Sequence, residues 1–229
     1  MCGRFTLTYP DAHLLAEELG VPVESLPDYV PRYNIAPTDE HYVVRIKSES
    51  REALRAKWGL VNTWAKDAKR AAAQINARSE SVDRSGAFRD AFARRRCVVP
   101  ADGFYEWDRT TKVRQPYWFH RPDGKLMYLA GLQESWQPEP GTWQRTFTIL
   151  TTTPNEVVAT LHDRMPVVLS ERDADLWMFP STPAKELKAL LRPSPAEEML
   201  MTAVSTRVNK VDNDDPSVLE EVAAAPRLL

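Results

Sequence analysis

Proline, glycine and aspartate punctuate this chain so often that the predicted runs between them are short. Eighteen prolines are spread over 229 residues. Each fixes its own φ and removes a backbone donor, so strands and helices start or stop there. Between the breaks lie short runs of β-branched and aromatic residues at 41–46, 96–99, 103–107, 116–120, 126–132 and 146–152, and this pattern predicts strands. Residues 52–58 lead through Gly59 into an irregular stretch, 60–73. Arg121-Pro122-Asp123-Gly124 carries turn chemistry and predicts a hairpin between the runs on either side. Helices are fewer. One is expected over 11–19, where Pro10-Asp11 opens it, Leu14, Leu15 and Leu19 share a face and Gly20 ends it. Another lies within 77–93, with Phe88 and Phe92 one turn apart, and two more at 171–179 and 184–191. With no internal repeat or linker, these elements predict a single α+β domain over 1–229. Its core is mostly antiparallel, and 217–229 form a peripheral tail.

Composition supports an ordinary globular chain, with 43% hydrophobic and 27% charged residues, and this length buries a core without covalent staples. Two cysteines, Cys2 and Cys97, make no secreted disulfide scaffold, and neither stands in a zinc-binding spacing. No apolar signal region follows the start and no window approaches 18 uninterrupted apolar residues, so a reduced intracellular protein is expected. Phosphate-binding glycine loops, HExxH and GxSxG are absent, and His13, His41, His120 and His162 are too scattered for a metal site. No cofactor or metal is therefore expected. The small net charge of −2 hides an excess between Arg45 and Arg96, where fourteen basic residues face six acidic ones. Such a segment forms either a phosphate-binding surface or a solvated face balanced elsewhere in the fold, and charge alone leaves both open.

Cys2 follows the initiator methionine and precedes Gly3-Arg4. A small second residue generally permits methionine removal, which leaves an α-amine and a thiol on one carbon skeleton. An α-amine titrates near ~7.7–8.0, so a useful fraction is neutral and nucleophilic at physiological pH. Such a 1,2-aminothiol condenses with an aldehyde to an imine, then closes through sulfur into a thiazolidine ring. Gly3 lets a substrate approach the backbone, and Arg4 adds a cation. Taken alone, the cysteine reads more simply as an incidental residue at a frayed terminus.

Its companions are compact polar islands: Arg32-Tyr33-Asn34-Ile35-Ala36-Pro37, Ile75-Asn76-Ala77-Arg78-Ser79-Glu80, Asp102-Gly103-Phe104-Tyr105-Glu106-Trp107 and His162-Asp163-Arg164-Met165-Pro166. Singly, Asn76 is explained as a helix cap, Glu106 as a solvent-facing strand residue and His162 as a satisfied loop histidine. A glutamate buried among aromatics has its pKa raised by desolvation and suits proton transfer, as does a histidine near neutrality.

In the order MCGRF, RYNIAP, WGL, INARSE, DGFYEW, HDRMP and STRVN, the chain resembles the SRAP family (SOS response-associated peptidase), the abasic-site processing proteins of bacteria and eukaryotes. The resemblance runs from Cys2 to about Pro216. It implies an α+β body around a β-barrel-like core with flanking helices and a positively charged cleft. It also implies recognition of abasic sites in single-stranded DNA and a covalent link to the exposed deoxyribose aldehyde. By this resemblance Cys2 is the covalent residue, through a thiazolidine after loss of Met1. Asn76 orients the terminus and the sugar, Glu106 is the acid/base of imine chemistry and of reversal, and His162 promotes crosslink formation. Arg4, Arg78 and Arg164 are implied contacts to phosphate or sugar. An autopeptidase that uncovers its own cysteine is implied as well. Abasic single-stranded DNA is the implied partner, alongside the replication machinery, with no membrane association and a monomeric state. The implied location is the cytoplasm, on damaged nucleoid DNA, or the nucleus in a eukaryote.

The residues themselves agree with such a ligand. An abasic sugar offers no base to read, so recognition falls to phosphates, stacking and the aldehyde. Trp58 is assigned to core packing, and Trp64, in the basic segment, to stacking on or wedging against a flanking base. Asn62 departs from the family, where this loop often carries proline. Two other functions compete: a cysteine peptidase acting on other proteins, and a non-covalent single-strand binding module.

Overall fold

A computed structural model describes residues 2–110 and 113–224. Among them the strands are β1 (Phe5–Leu7), β2 (Arg32–Ile35), β3 (Glu40–Lys47), β4 (Ser50–Trp58), β5 (Asn76–Arg78), β6 (Arg96–Ala101), β7 (Gly103–Asp108), β8 (Gln115–His120), β9 (Met127–Glu139), β10 (Thr142–Thr152), β11 (Met165–Pro166), β12 (Val168–Leu169) and β13 (Leu200–Ala203). The helices are α1 (Ala12–Leu19), α2 (Arg89–Arg94), α3 (Glu156–Ala159), α4 (Glu171–Met178) and α5 (Ala184–Leu190).

The pairings close a barrel. β10 pairs with β4, β4 with β3, β3 with β6, β6 with β9, and β9 returns to β10. Closure removes the unpaired edges that an open sheet exposes. Only the junctions of β10 with β4 and with the short β5 are parallel. A second sheet, in the order β13-β8-β7-β1-β2, is wholly antiparallel. The molecule is thus an α+β domain with a mostly antiparallel, barrel-like core and flanking helices.

The amino-terminal strand joins the two parts. Phe5 of β1 meets His41 and Trp58 edge-on, with ring centroids 4.8 and 5.1 Å away. Trp58 in turn stacks on Phe147 at 6.1 Å. Burying Phe5 completely contributes on the order of 2–3 kcal/mol and docks the segment that begins at Cys2. From the other side Asp102 holds the same strand, accepting from the Thr6 hydroxyl, from the Thr8 amide at 2.5 Å and from the Thr8 hydroxyl at 2.6 Å. Gly103 is required where β7 crosses Trp118, because a Cβ there would lie 2.0 Å from the indole nitrogen.

The expected helix at 11–19 forms with Asp11 as N-cap, accepting from the His13 and Leu14 amides, and Gly20 as a left-handed C-cap at φ 63°. The helices expected at 171–179 and 184–191 form as α4 and α5. Two expectations are corrected. Arg121–Gly124 does turn, with the Gly124 amide on the Arg121 carbonyl at 3.2 Å, but it makes no hairpin. β8 pairs with β7 and β13, whereas β9 pairs with β6, β10 and β12, so this turn passes the chain between sheets. The helix expected within 77–93 does form, as α2, after β5 has taken the first residues of that stretch. The tail is not peripheral at its start, since Val218 is fully buried against Tyr105, Val204 and Val208. Residues 225–229 of that tail lie outside the described residues.

Candidate active site

Cys2 lies just ahead of β1 and is fully buried. Its carbonyl accepts a 2.8 Å hydrogen bond from the Asn76 amide, so the two ends of the site are tied by one side chain. Asn76 reaches that position because β5 pairs in parallel with β10, Asn76 opposite Ile149. It caps no helix. The Cys2 thiol lies 3.9 Å from the Arg4 carbonyl, and burial, reinforced by the negative charge of Glu106, pushes its pKa well above the usual thiol range. At neutral pH this sulfur stays protonated.

Glu106 is in the middle of β7, 4% exposed. Alternation sends Phe104 and Glu106 to one face and Tyr105 and Trp107 to the other. Tyr105 packs against Val204, Val208 and Val218 with Trp107 beside it, while Phe104 stacks on Phe119. Glu106 therefore shares the apolar face, and burial raises its carboxyl pKa from 4.5 to about 7. Arg109 opposes that shift and Asp163 reinforces it.

His162 follows α3 in a turn closed by its own amide on the Val158 carbonyl at 2.9 Å. Its Nδ1 accepts from the Arg164 amide at 3.0 Å, with an Asp163 carboxylate oxygen at the same distance. Burial lowers its pKa below the ordinary 6.5, partly offset by Asp163 and reinforced by Arg109. Glu106 and His162 thus feel the same two charges, from Arg109 and Asp163. One group is biased toward a proton and the other away from it. Such a divergent pair is the arrangement that assigns acid and base roles at one pH.

The expected cations are placed differently from one another. The Arg4 Nη1 donates to the Asn34 side-chain oxygen at 2.7 Å and to the Val208 carbonyl at 3.0 Å, and its guanidinium lies 5.9 Å from the centre of the Trp107 ring. Gly3, Arg4, Trp107, Arg114 and Asn209 line a cleft of about 400 Å³ beside Cys2. Arg78 is exposed at the end of β5. Arg164 is 12% exposed and occupied by Glu80 through a two-pronged ion pair, one arm at 3.0 Å, and by the Thr151 carbonyl at 2.5 Å. Trp64 is 67% exposed and lies apart from the thiol in the lining of a second cleft of about 600 Å³, with Asn62, Lys66, Lys69, Arg70 and Gln74. Asn62 is buried there and donates to the Ala87 carbonyl at 2.7 Å. Trp58 is wholly buried, as expected.

The model of the family described as SOS response associated peptidase (SRAP) matches residues 1–211. The chain belongs to the SRAP family. It is 36% identical over 224 residues to the abasic site processing protein YoqW of Bacillus subtilis (strain 168), covering 96% of this chain and 99% of that protein. It is 32% identical over 224 residues to the abasic site processing protein HMCES of Gallus gallus, covering 83% of this chain and 66% of that protein. Its fold is also that of a crystal structure from Bacteroides thetaiotaomicron, with a TM-score of 0.87 over 97% of this chain and 100% of that one at 23% identity.

Five contributors to the site were not singled out from the SRAP motifs: Trp107, Arg109, Arg114, Asp163 and Asn209. Trp107 and Asp163 lie inside DGFYEW and HDRMP, while Asn209 stands in the late STRVN motif, and its side-chain oxygen accepts from the Trp107 indole at 2.6 Å. Only that motif's recurrence in the family order points to it.

Proposed function

We propose that this SRAP protein processes abasic sites in single-stranded DNA by joining Cys2 to the exposed deoxyribose aldehyde. Its relatives YoqW and HMCES are abasic site processing proteins. The observation that carries the chemistry is the Cys2 terminus, gripped by Asn76, in the field of a buried glutamic acid that titrates at about 7.

Removal of Met1 frees the α-amine of Cys2. The amine adds to the aldehyde carbon and gives a carbinolamine. Its hydroxyl leaves as water with a proton from Glu106, and an imine remains. The thiol then adds to the imine carbon: the C–S bond forms, and the thiol proton passes to nitrogen through the Glu106 carboxylate. One water is released and no electrons are exchanged. The raised thiol pKa fits this order, because sulfur enters only after the imine is formed. The same steps reversed release the sugar. His162, neutral at pH 7, takes up protons from the amine during imine formation. Asn76 fixes the terminus relative to the sugar, so that the amine and the aldehyde carbon meet in one orientation. Arg4 and Arg78 take phosphates, and Trp64 stacks on a flanking base at the second cleft. Arg164, held by Glu80 and the Thr151 carbonyl, contributes by steadying the His162 turn against β10.

A peptidase acting on other proteins requires Cys2 as a thiolate, and its protonated, buried thiol weighs against that alternative. The test is a denaturing gel of the protein mixed with a labelled strand carrying one abasic site. A retarded band that requires both the aldehyde and Cys2 is expected. A band of equal strength from Cys2→Ala would overturn the nucleophile, and binding without any covalent band would favour a non-covalent module.

A further inference from the structure

Asn34 is completely buried in β2 and belongs to none of the groups given a chemical task above. Its side chain nevertheless joins three parts of the molecule. The carbonyl oxygen accepts from Arg4 Nη1 at 2.7 Å. The amide nitrogen faces the carbonyls of Val208 at 3.2 Å, Lys210 at 3.0 Å and Asn213 at 2.8 Å. The orientation of the amide is forced, because a guanidinium only donates and backbone carbonyls only accept. The surroundings fix the backbone as well: the Asp214 carboxylate accepts from the Asn34 amide at 2.8 Å and from the Tyr33 amide at 2.5 Å, and it pairs with Arg32.

We propose that Asn34 is a positioning residue for lesion-strand recognition, presenting the Arg4 guanidinium to a phosphate of the DNA. This rests on the function proposed above. Arg4 is clamped by the Asn34 oxygen, by the Val208 carbonyl and over the Trp107 ring. Both Arg4 and Trp107 line the cleft beside Cys2, together with Asn209 from the same late segment. One amide therefore holds the arginine and the segment that closes over it. Trp107 supports the same link, lying against Arg4 and donating to Asn209. Aspartate would set a negative charge against three carbonyls, leucine would give Arg4 no side-chain acceptor and take the amide donor from the late segment, and glutamine is one methylene too long. A clamped guanidinium loses little freedom when a phosphate arrives, and its planar fork makes position as important as charge.

The test is equilibrium binding to a single strand carrying a tetrahydrofuran abasic analogue, which has no aldehyde and forms no crosslink. Wild type, Arg4→Ala, Asn34→Ala and the double variant are titrated over a salt series, with thermal melting of each protein alongside. Asn34→Ala is expected to weaken binding roughly tenfold and to lower the salt slope by about one phosphate contact. In the Arg4→Ala background the same change is expected to add less than about twofold, because the two residues act as one unit. Equal losses in both backgrounds, or a loss with the salt slope unchanged, would overturn the proposal. Arg4→Lys decides the matter if Asn34→Ala does not fold. It keeps the charge but lacks the fork, so it is expected to bind like Arg4→Ala, and wild-type binding would contradict the assignment. If Arg4→Ala itself binds normally, the failure lies with the phosphate role of Arg4 and not with Asn34 alone.

Discussion

At the scale of single residues, the site depends on one carboxyl kept out of water. Glu106 is raised to about 7 by burial, and His162 is lowered from 6.5 by the same cause. Near neutrality one is half-protonated and the other is a free base, so the two exchange protons in opposite directions without a change of pH. The rate of covalent capture is expected to fall above pH 7 as Glu106 loses its proton. Glu106→Gln should remove that alkaline limb and slow capture about a hundredfold. Single-turnover capture between pH 5 and 9 reads both effects, and an unchanged alkaline limb in the variant would reassign the acid. Asn34 teaches a different lesson about single residues. In a sequence it looks like a turn-forming amide at the entrance to a strand, because the carbonyls it serves lie more than 170 residues away.

At the scale of elements, local chemistry and tertiary pairing part company in identifiable places. Strands with a strong β-branched or aromatic signature, such as β3 and β7, were legible in the sequence, as was α1 with its Asp11 and Gly20 caps. β5 was not, because its three residues are strand only by virtue of β10 beside them. The turn at Arg121–Gly124 was legible as a turn, but which sheet each flanking strand joins depends on partners such as β6 and β13 far along the chain. Of the site, Cys2, Asn76, Glu106 and His162 could be named from motifs. The commitment of Arg164 to Glu80 could not, since it depends on two loops meeting. Gly59 marks where β4 gives way to the loop that carries Trp64. Its φ is 120°, and a Cβ would lie 2.7 Å from the Ala71 carbonyl oxygen. Gly59→Ala is therefore expected to destabilise the protein by about 1–3 kcal/mol. Urea denaturation measures this, and a change under 0.5 kcal/mol would show the turn to be freely adjustable.

At the scale of the whole molecule, two buried groups pull the pH dependence of stability in opposite directions. Glu106 binds its proton more tightly in the folded state, so its term weakens the fold as pH rises from 4.5 to about 7. His41 donates its Nε2 proton to the Pro100 carbonyl at 2.9 Å inside the barrel, and burial lowers its pKa from 6.5 to about 4. The unfolded chain takes up that proton first, so the His41 term weakens the fold as pH falls from 6.5 to 4. Each term is worth about 3 kcal/mol across its window, and between pH 4.5 and 6.5 they nearly cancel. Glu106→Gln is expected to expose the His41 slope, with stability falling toward acid; His41→Gln should expose the opposite slope. Parallel curves for all three proteins would mean that neither group is held as described. The His41 slope thus offsets the slope that comes with burying a proton donor in β7. The central claim, capture at the amino terminus, is tested most directly by the mass of the N-terminal peptide released from the isolated protein–DNA adduct. A peptide beginning at Cys2 that carries the sugar is expected, with Met1 gone and one water lost. A sugar on a lysine, or on a peptide that still begins with Met1, would contradict it.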